Sequence, residues 1–221
     1  MRLQMHSFEI CAINGNMMKR SWLYFPVVLI AVLLTGCSSQ PELPRLSPDA
    51  TILAFGDSLT YGSGAKRDES YPAVLSRLTG MEVINAGVPG EVTGEGLVRL
   101  QDVLDEVQPQ LMIICHGGND MLRKQGLYRA EKNLRSMIQL AQQQGVSVIL
   151  MAVPNPGVLL SSADFYEAIA EEMRIPFEGD VVADVLSKRS LKSDLIHPNR
   201  EGYAVMAQSI FQLMKEAKLI E

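Results

Sequence analysis

Three cysteines and three histidines are all that 221 residues carry, and this scarcity excludes several classes at once. So few cysteines cannot form a disulfide scaffold, and so few histidines leave no histidine-rich metal site. Aromatic residues are only 6%, and no run of Lys or Arg extends beyond a pair. The basic footprint that grips nucleic acid through its phosphates is therefore missing, and 20 basic against 25 acidic residues, a formal charge of −5, excludes nucleic acid as a partner. Low complexity is absent too. The 17 glycines and 11 prolines are dispersed, 47% of residues are hydrophobic and 20% charged, which fits a globular chain. The length suits one α/β domain.

The most strongly apolar stretch lies near the start. Met17, Met18, Lys19 and Arg20 form a short basic segment ahead of an apolar run from Trp22 to Leu34, followed by Thr35, Gly36 and Cys37. A basic start, a 13-residue apolar stretch and small residues before a cut describe an export signal over residues 1–36. The run is short of the ~20 apolar residues that span a bilayer. Glu9 and Asn14 sit poorly in a leader, so translation is expected to start at Met17 or Met18. Leu34 to Cys37 resemble the bacterial lipobox, whose cysteine becomes the lipid-modified first residue of the mature protein. That resemblance implies lipidation of Cys37 and a lipid-anchored lipoprotein of the bacterial cell envelope, on the outer membrane or facing the periplasm. Residues 37–50, punctuated by Pro41, Pro44 and Pro48, read as a tether, and residues 51–221 as the folded domain. Without residues 1–36 the chain keeps 17 basic and 24 acidic residues, a net of −7. Cys115, inside the apolar run Leu111 to Cys115, reads as a core thiol.

From Thr51 onward short β-branched runs alternate with helical periods. Thr51 to Phe55, Met81 to Asn85, Leu111 to Cys115 and Val146 to Val153 have the length and composition of buried strands. Between them apolar residues recur at helical spacing: Leu97, Leu100, Leu104 and Val107, then Ala130, Leu134, Met137, Ile138 and Ala141, then Phe165, Ala168 and Ile169. Tyr203, Met206, Ala207, Ile210, Met214 and Ala217 close the chain in the same way. Such alternation predicts a three-layer α/β/α sandwich with a central parallel sheet, flavodoxin-like in its winding. Its site belongs in the loops that follow the strands' carboxyl ends.

Those loops carry the chemistry. Gly56-Asp57-Ser58-Leu59 follows the first strand and offers either a nucleophile at a helix start or a plain helix cap. The dinucleotide, P-loop and GxSxG patterns all fail here: Arg67 stands where a third glycine is needed, Lys66 has no following Ser or Thr, and Thr60 ends the elbow. Asn85-Ala86-Gly87-Val88-Pro89-Gly90 follows the second strand, and Gly87 would let a backbone N–H approach a substrate. His116-Gly117-Gly118-Asn119-Asp120 follows the third, where the Asn119 amide could meet a developing oxyanion and Asp120 could cap a helix. Asp194-Leu195-Ile196-His197-Pro198-Asn199 precedes the last helix; Pro198 keeps His197 on a loop and Asp194 is near enough to hold its Nδ1. His116 has no acid close before it and reads as structural or substrate-lining.

Taken together, these four blocks resemble the SGNH, or GDSL, hydrolase family, whose name spells its signature residues. Ser58, Gly87, Asn119 and His197 are their counterparts here, in matching order, across about residues 50 to 217. The resemblance implies Ser58 as nucleophile, His197 as base, Asp194 as its orienting acid, and an oxyanion hole from the Ser58 and Gly87 N–H groups and the Asn119 side chain. It implies a serine esterase of the arylesterase, thioesterase and lysophospholipase type, acting on a small acyl ester or thioester with neither cofactor nor metal. An O-deacetylase of envelope polysaccharide and a non-catalytic envelope binding protein are the alternatives. His116 departs from the family pattern, and the Val153 to Ala163 loop lacks an aromatic lid.

Overall fold

The computed structural model describes residues 41–155 and 163–221. The leader and Cys37 lie outside the described residues, as does the middle of the Val153 to Ala163 loop. The four apolar runs form β1 (Thr51–Gly56), β2 (Glu82–Gly87), β3 (Leu111–Cys115) and β4 (Ser147–Met151), and a two-residue β5 (Phe177–Glu178) joins them at the far edge. All pairings are parallel, in the order β2-β1-β3-β4-β5. Ile52 to Phe55, all of β3 and Val148 to Met151 are buried. A parallel sheet covered on both faces needs such unbroken apolar strands, because neither face meets water.

The covering helices are α1 (Ser58–Tyr61), α2 (Tyr71–Thr79), α3 (Thr93–Val107), α4 (Gly118–Leu122), α5 (Leu127–Gln143), α6 (Phe165–Met173), α7 (Val181–Ser187) and α8 (Arg200–Glu216). α2 packs on α8 and α8 on α7, while α3 packs on α5 and α5 on α6, giving two helical layers. α5 buries the periodic set Ala130, Leu134, Met137, Ile138 and Ala141, and α8 buries Tyr203, Met206, Ala207, Ile210 and Met214. Each large apolar side chain so covered contributes roughly 1.5–3 kcal/mol. The three-layer parallel architecture is the one the strand and helix alternation predicts. α2, α7 and β5 are additions to that reading.

One expectation is corrected at the start of the body. The proline-punctuated stretch does not hang free as a tether from Glu42 onward. Leu43 N–H donates to the Ala217 carbonyl at 3.3 Å and Leu46 N–H to the Leu219 carbonyl at 2.9 Å. Leu46 and Ala50 are buried, Ser47 bonds the Gln110 side chain, and Glu42 and Arg45 pair with Lys218 and Glu221. Gln110 N–H in turn donates to the Thr51 carbonyl, so this clasp lies at the amino ends of β1 and β3. Leucines at Leu43 and Leu46 outweigh the extending effect of the prolines because they have apolar surface to cover.

In this strand order the chain turns from β1 to β2 on one side and from β3 to β4 on the other. The crevice that opens between β1 and β3, outside their carboxyl ends, is where such a sheet receives a ligand.

Candidate active site

β1 ends at Gly56, which pairs in register with both Gly87 of β2 and Cys115 of β3. A side chain there is impossible: an added Cβ would lie 2.0 Å from the Cys115 carbonyl oxygen and 2.5 Å from Thr60 Oγ1. The closeness lets the chain turn straight from strand into α1. Asp57 takes the cap, accepting the Leu59 N–H at 3.0 Å, which leaves the Ser58 hydroxyl uncommitted to the helix. Burial pushes the Asp57 carboxyl above the usual carboxylate range, against the opposing pull of His116, the Leu59 N–H and His197.

The Ser58 Oγ meets His197 Nε2 at 3.0 Å, and His197 Nδ1 meets Asp194 Oδ2 at 2.8 Å. His197 sits on a loop, as Pro198 requires, and Asn199 caps α8 by accepting the Gly202 N–H at 3.0 Å. The loop is closed on itself: Lys192 and Pro198 form an antiparallel bridge, and Ser193 N–H donates to the His197 carbonyl at 3.0 Å. Asp194 Oδ1 accepts the Ile196 and His197 N–H groups, both at 2.8 Å. Partial burial pushes the Asp194 carboxyl up, but the bonds from His197 and from these two N–H groups outweigh it and hold the group below its ordinary value. Because Asp194 accepts the Nδ1 proton, Nε2 is left as the acceptor facing the serine hydroxyl.

Asn119, in α4, is also brought to this crevice. Its Nδ2 donates to the Glu91 carbonyl at 2.9 Å and, over a longer 3.3 Å, to Asp57 Oδ2. The first bond fixes the amide plane and the second is the more easily exchanged.

Gly87 corrects the expectation set for it. Its N–H is already given to Asn85 Oδ1 at 3.0 Å, and the Asn85 amide donates in turn to the Thr60 carbonyl at 2.9 Å. Gly87 instead makes room, since a Cβ there would lie 2.1 Å from Tyr61 N. Three residues on, Gly90 adopts φ +81° and its carbonyl accepts from Arg123 Nη2 at 2.6 Å. Among the described residues neither the Gly90 N–H nor the Ser58 N–H has an acceptor. The Pro89-Gly90 turn signal marked this position, and its free donor was the missing detail.

Two other side chains differ from their sequence reading. Asp120 does not cap its own helix; it is buried and accepts Thr93 N–H at 2.9 Å and Thr93 Oγ1–H at 2.7 Å, capping α3 from across the crevice. His116 is fully buried against Glu91, an acid 25 positions away in sequence, at 3.1 Å. Cys115 is a core thiol, its ionisation pushed well up by burial and by Asp57. Among the described residues no group of three or more His, Cys, Asp or Glu side chains is placed to hold a metal ion, and no helix is long and apolar enough to cross a membrane.

The fold and this arrangement of groups define an ester-hydrolysing enzyme. The chain belongs to the GDSL-like Lipase/Acylhydrolase family, whose model matches residues 54–205. It is 29% identical over 198 residues to esterase TesA of Pseudomonas aeruginosa, covering 84% of this chain and 98% of that one. To the arylesterase of Vibrio mimicus it is 31% identical over 195 residues, covering 83% and 96%. Among solved structures, the psychrotrophic esterase EstA from Pseudoalteromonas sp. superposes with a TM-score of 0.68 at 26% identity, covering 76% of this chain and 98% of that chain.

Proposed function

We propose that Ser58 is the nucleophile, His197 the general base and Asp194 the group that orients it. The observation that carries this reading is the unbroken chain of two bonds, 3.0 Å from Ser58 Oγ to His197 Nε2 and 2.8 Å from His197 Nδ1 to Asp194 Oδ2. Ser58 Oγ attacks the acyl carbonyl as its proton passes to Nε2. The imidazolium, balanced by Asp194, then gives that proton to the departing alkoxide or thiolate. Water, deprotonated by the same nitrogen, releases the acyl group from Ser58 in a second round.

The negative oxygen of each tetrahedral intermediate is received by the Ser58 N–H, the Asn119 amide and the Gly90 N–H. Gly90 replaces Gly87 in this role because its donor has no acceptor among the described residues, while that of Gly87 is bound to Asn85. Asn119→Ala is expected to lower kcat about 10²- to 10³-fold, the usual cost of losing one such donor, with KM little changed. Equal losses through KM alone would remove Asn119 from the hole.

Acyl esters and thioesters with an apolar acyl or aryl part are the proposed substrates. Tyr61, Val88, Leu122, Leu195 and Ile196 are exposed on segments that follow the strands' carboxyl ends or flank His197, and the matched relatives are named esterase and arylesterase. A panel of p-nitrophenyl esters from acetate to palmitate, beside acetylated sugars, tests this. Turnover extending past acetate is expected; activity confined to acetate and acetylated sugars would favour the deacetylase reading.

Lipidation of Cys37 and residence in the cell envelope complete the proposal, supported by the basic start, the apolar run and the Leu34 to Cys37 sequence. Palmitate labelling is expected in the wild type and lost in Cys37→Ser. Label surviving in that variant would overturn the anchor.

A further inference from the structure

We infer that His116 is a positioning residue for the oxyanion hole, acting through Glu91. This rests on the proposed hole, in which the Asn119 amide and the Gly90 N–H face the tetrahedral oxygen. Glu91 joins the two: it follows Gly90 directly in the chain, and its carbonyl accepts from Asn119 Nδ2 at 2.9 Å. Whatever fixes Glu91 therefore fixes both donors.

The Glu91 side chain is held inside the protein by two groups. Arg99 binds it in a fork, Nε to Oε1 at 2.6 Å and Nη2 to Oε2 at 2.8 Å, while Nη2 also reaches the Ala86 carbonyl at 2.9 Å. The guanidinium lies over the Phe55 ring at 4.1 Å. His116 supplies the remaining contact, Nε2 to Oε2 at 3.1 Å. Its tautomer is set by its own backbone, because Nδ1 accepts the Gly117 N–H at 3.0 Å. The proton therefore sits on Nε2 and is donated to Glu91. Gly117 opens the turn that carries Asn119, so His116 grips both sides of the hole: Glu91 through one nitrogen, the Gly117 turn through the other.

The space for this ring is provided on a third element. A Cβ at Gly96 of α3 would lie 2.6 Å from His116 Nε2 and 3.1 Å from Glu91 Oε2, so α3 is notched where the contact is made. Any buried imidazole needs both nitrogens satisfied; what ties this one to the hole is that its two partners are Glu91 and the Gly117 N–H.

The two nitrogens can be separated by substitution. In H116N the shorter side chain can accept the Gly117 N–H but cannot reach Glu91; in H116Q the amide reaches Glu91 and the Gly117 contact is lost. With a p-nitrophenyl ester at pH 8, H116N is expected to lower kcat about tenfold with KM within twofold, and H116Q to recover most of that loss. The rate of inactivation by an organophosphonate, which forms a similar oxyanion on Ser58, is expected to fall in parallel with kcat. G96A, which changes neither partner, is expected to reproduce the kcat loss by pushing the ring and carboxylate apart, although Ala is the better helix former. Wild-type kcat in H116N and G96A, or a lowered melting temperature with kcat unchanged, would overturn the inference. If Asn119→Ala is costly while H116N is silent, this inference fails alone; if Asn119→Ala is itself silent, the proposed oxyanion hole fails first.

Discussion

Ser58→Ala is expected to lower kcat/KM for an aryl ester by about 10⁵- to 10⁶-fold, the scale at which a catalytic serine acts together with its base. The fold should hardly notice. Ser58 stands at the first position of α1, whose cap is Asp57, and among the described residues its hydroxyl makes only the 3.0 Å contact with His197. Thermal unfolding of the variant is expected within a few degrees of wild type, since losing one hydrogen bond of a half-buried hydroxyl costs about 0.5–1.5 kcal/mol. Retained turnover of the aryl ester would sink the nucleophile assignment. Lost turnover together with a collapsed melting transition would make Ser58 a structural residue.

The second large effect belongs to Asp194. Asp194→Asn preserves size and the two bonds from Ile196 and His197 N–H, but it replaces an acceptor facing His197 Nδ1 with a group able to donate. The imidazole then favours the opposite tautomer, with Nε2 protonated and unable to take the serine proton, and kcat is expected to fall about 10³- to 10⁴-fold. The pH dependence of stability gives an independent check. The Asp194 carboxyl is held below its ordinary value of 3.8 in the folded protein, so its favourable contribution is fully present above that ordinary value and is lost as pH falls through the lower, folded one. The stability gap between wild type and Asp194→Asn should thus be present above the ordinary carboxyl value of 3.8 and narrow as pH falls below it. A gap that does not narrow at all as pH is taken down from 3.8 would show that the carboxylate charge is not what the loop stabilises.

The proposed triad, whose members the structure brings within hydrogen-bond reach, draws each from a local pattern in the sequence: Ser58 just past a buried strand, His197 restrained by Pro198, Asp194 three residues before it. The same holds for β1 to β4, whose apolar runs need no partner to be recognised. What escaped depends on contacts between distant segments. β5 is two half-buried residues that exist as a strand only because Leu150 and Met151 pair with them. The short stripe of α2, Tyr71, Pro72 and Leu75, becomes a buried face only once α8 lies against it. Gly87 and Gly90 offer identical backbone freedom in the sequence. They are told apart by where Asn85 turns its side chain, which no spacing encodes. His116 lacked an acid nearby because its acid, Glu91, arrives from another loop.

The clasp formed by Glu42 to Ala50 with the last residues of the chain bears on how the enzyme can be handled. Leu46 holds Leu219 beside Gln110 and Thr51, at the end of the sheet opposite Ser58, and the exposed Glu221 leaves the body there. A fusion partner or immobilising resin joined after Glu221 would leave the mouth of the crevice open to solution. Trimming the chain behind Lys218, by contrast, would strip Leu219 from the core and release the opening segment with it.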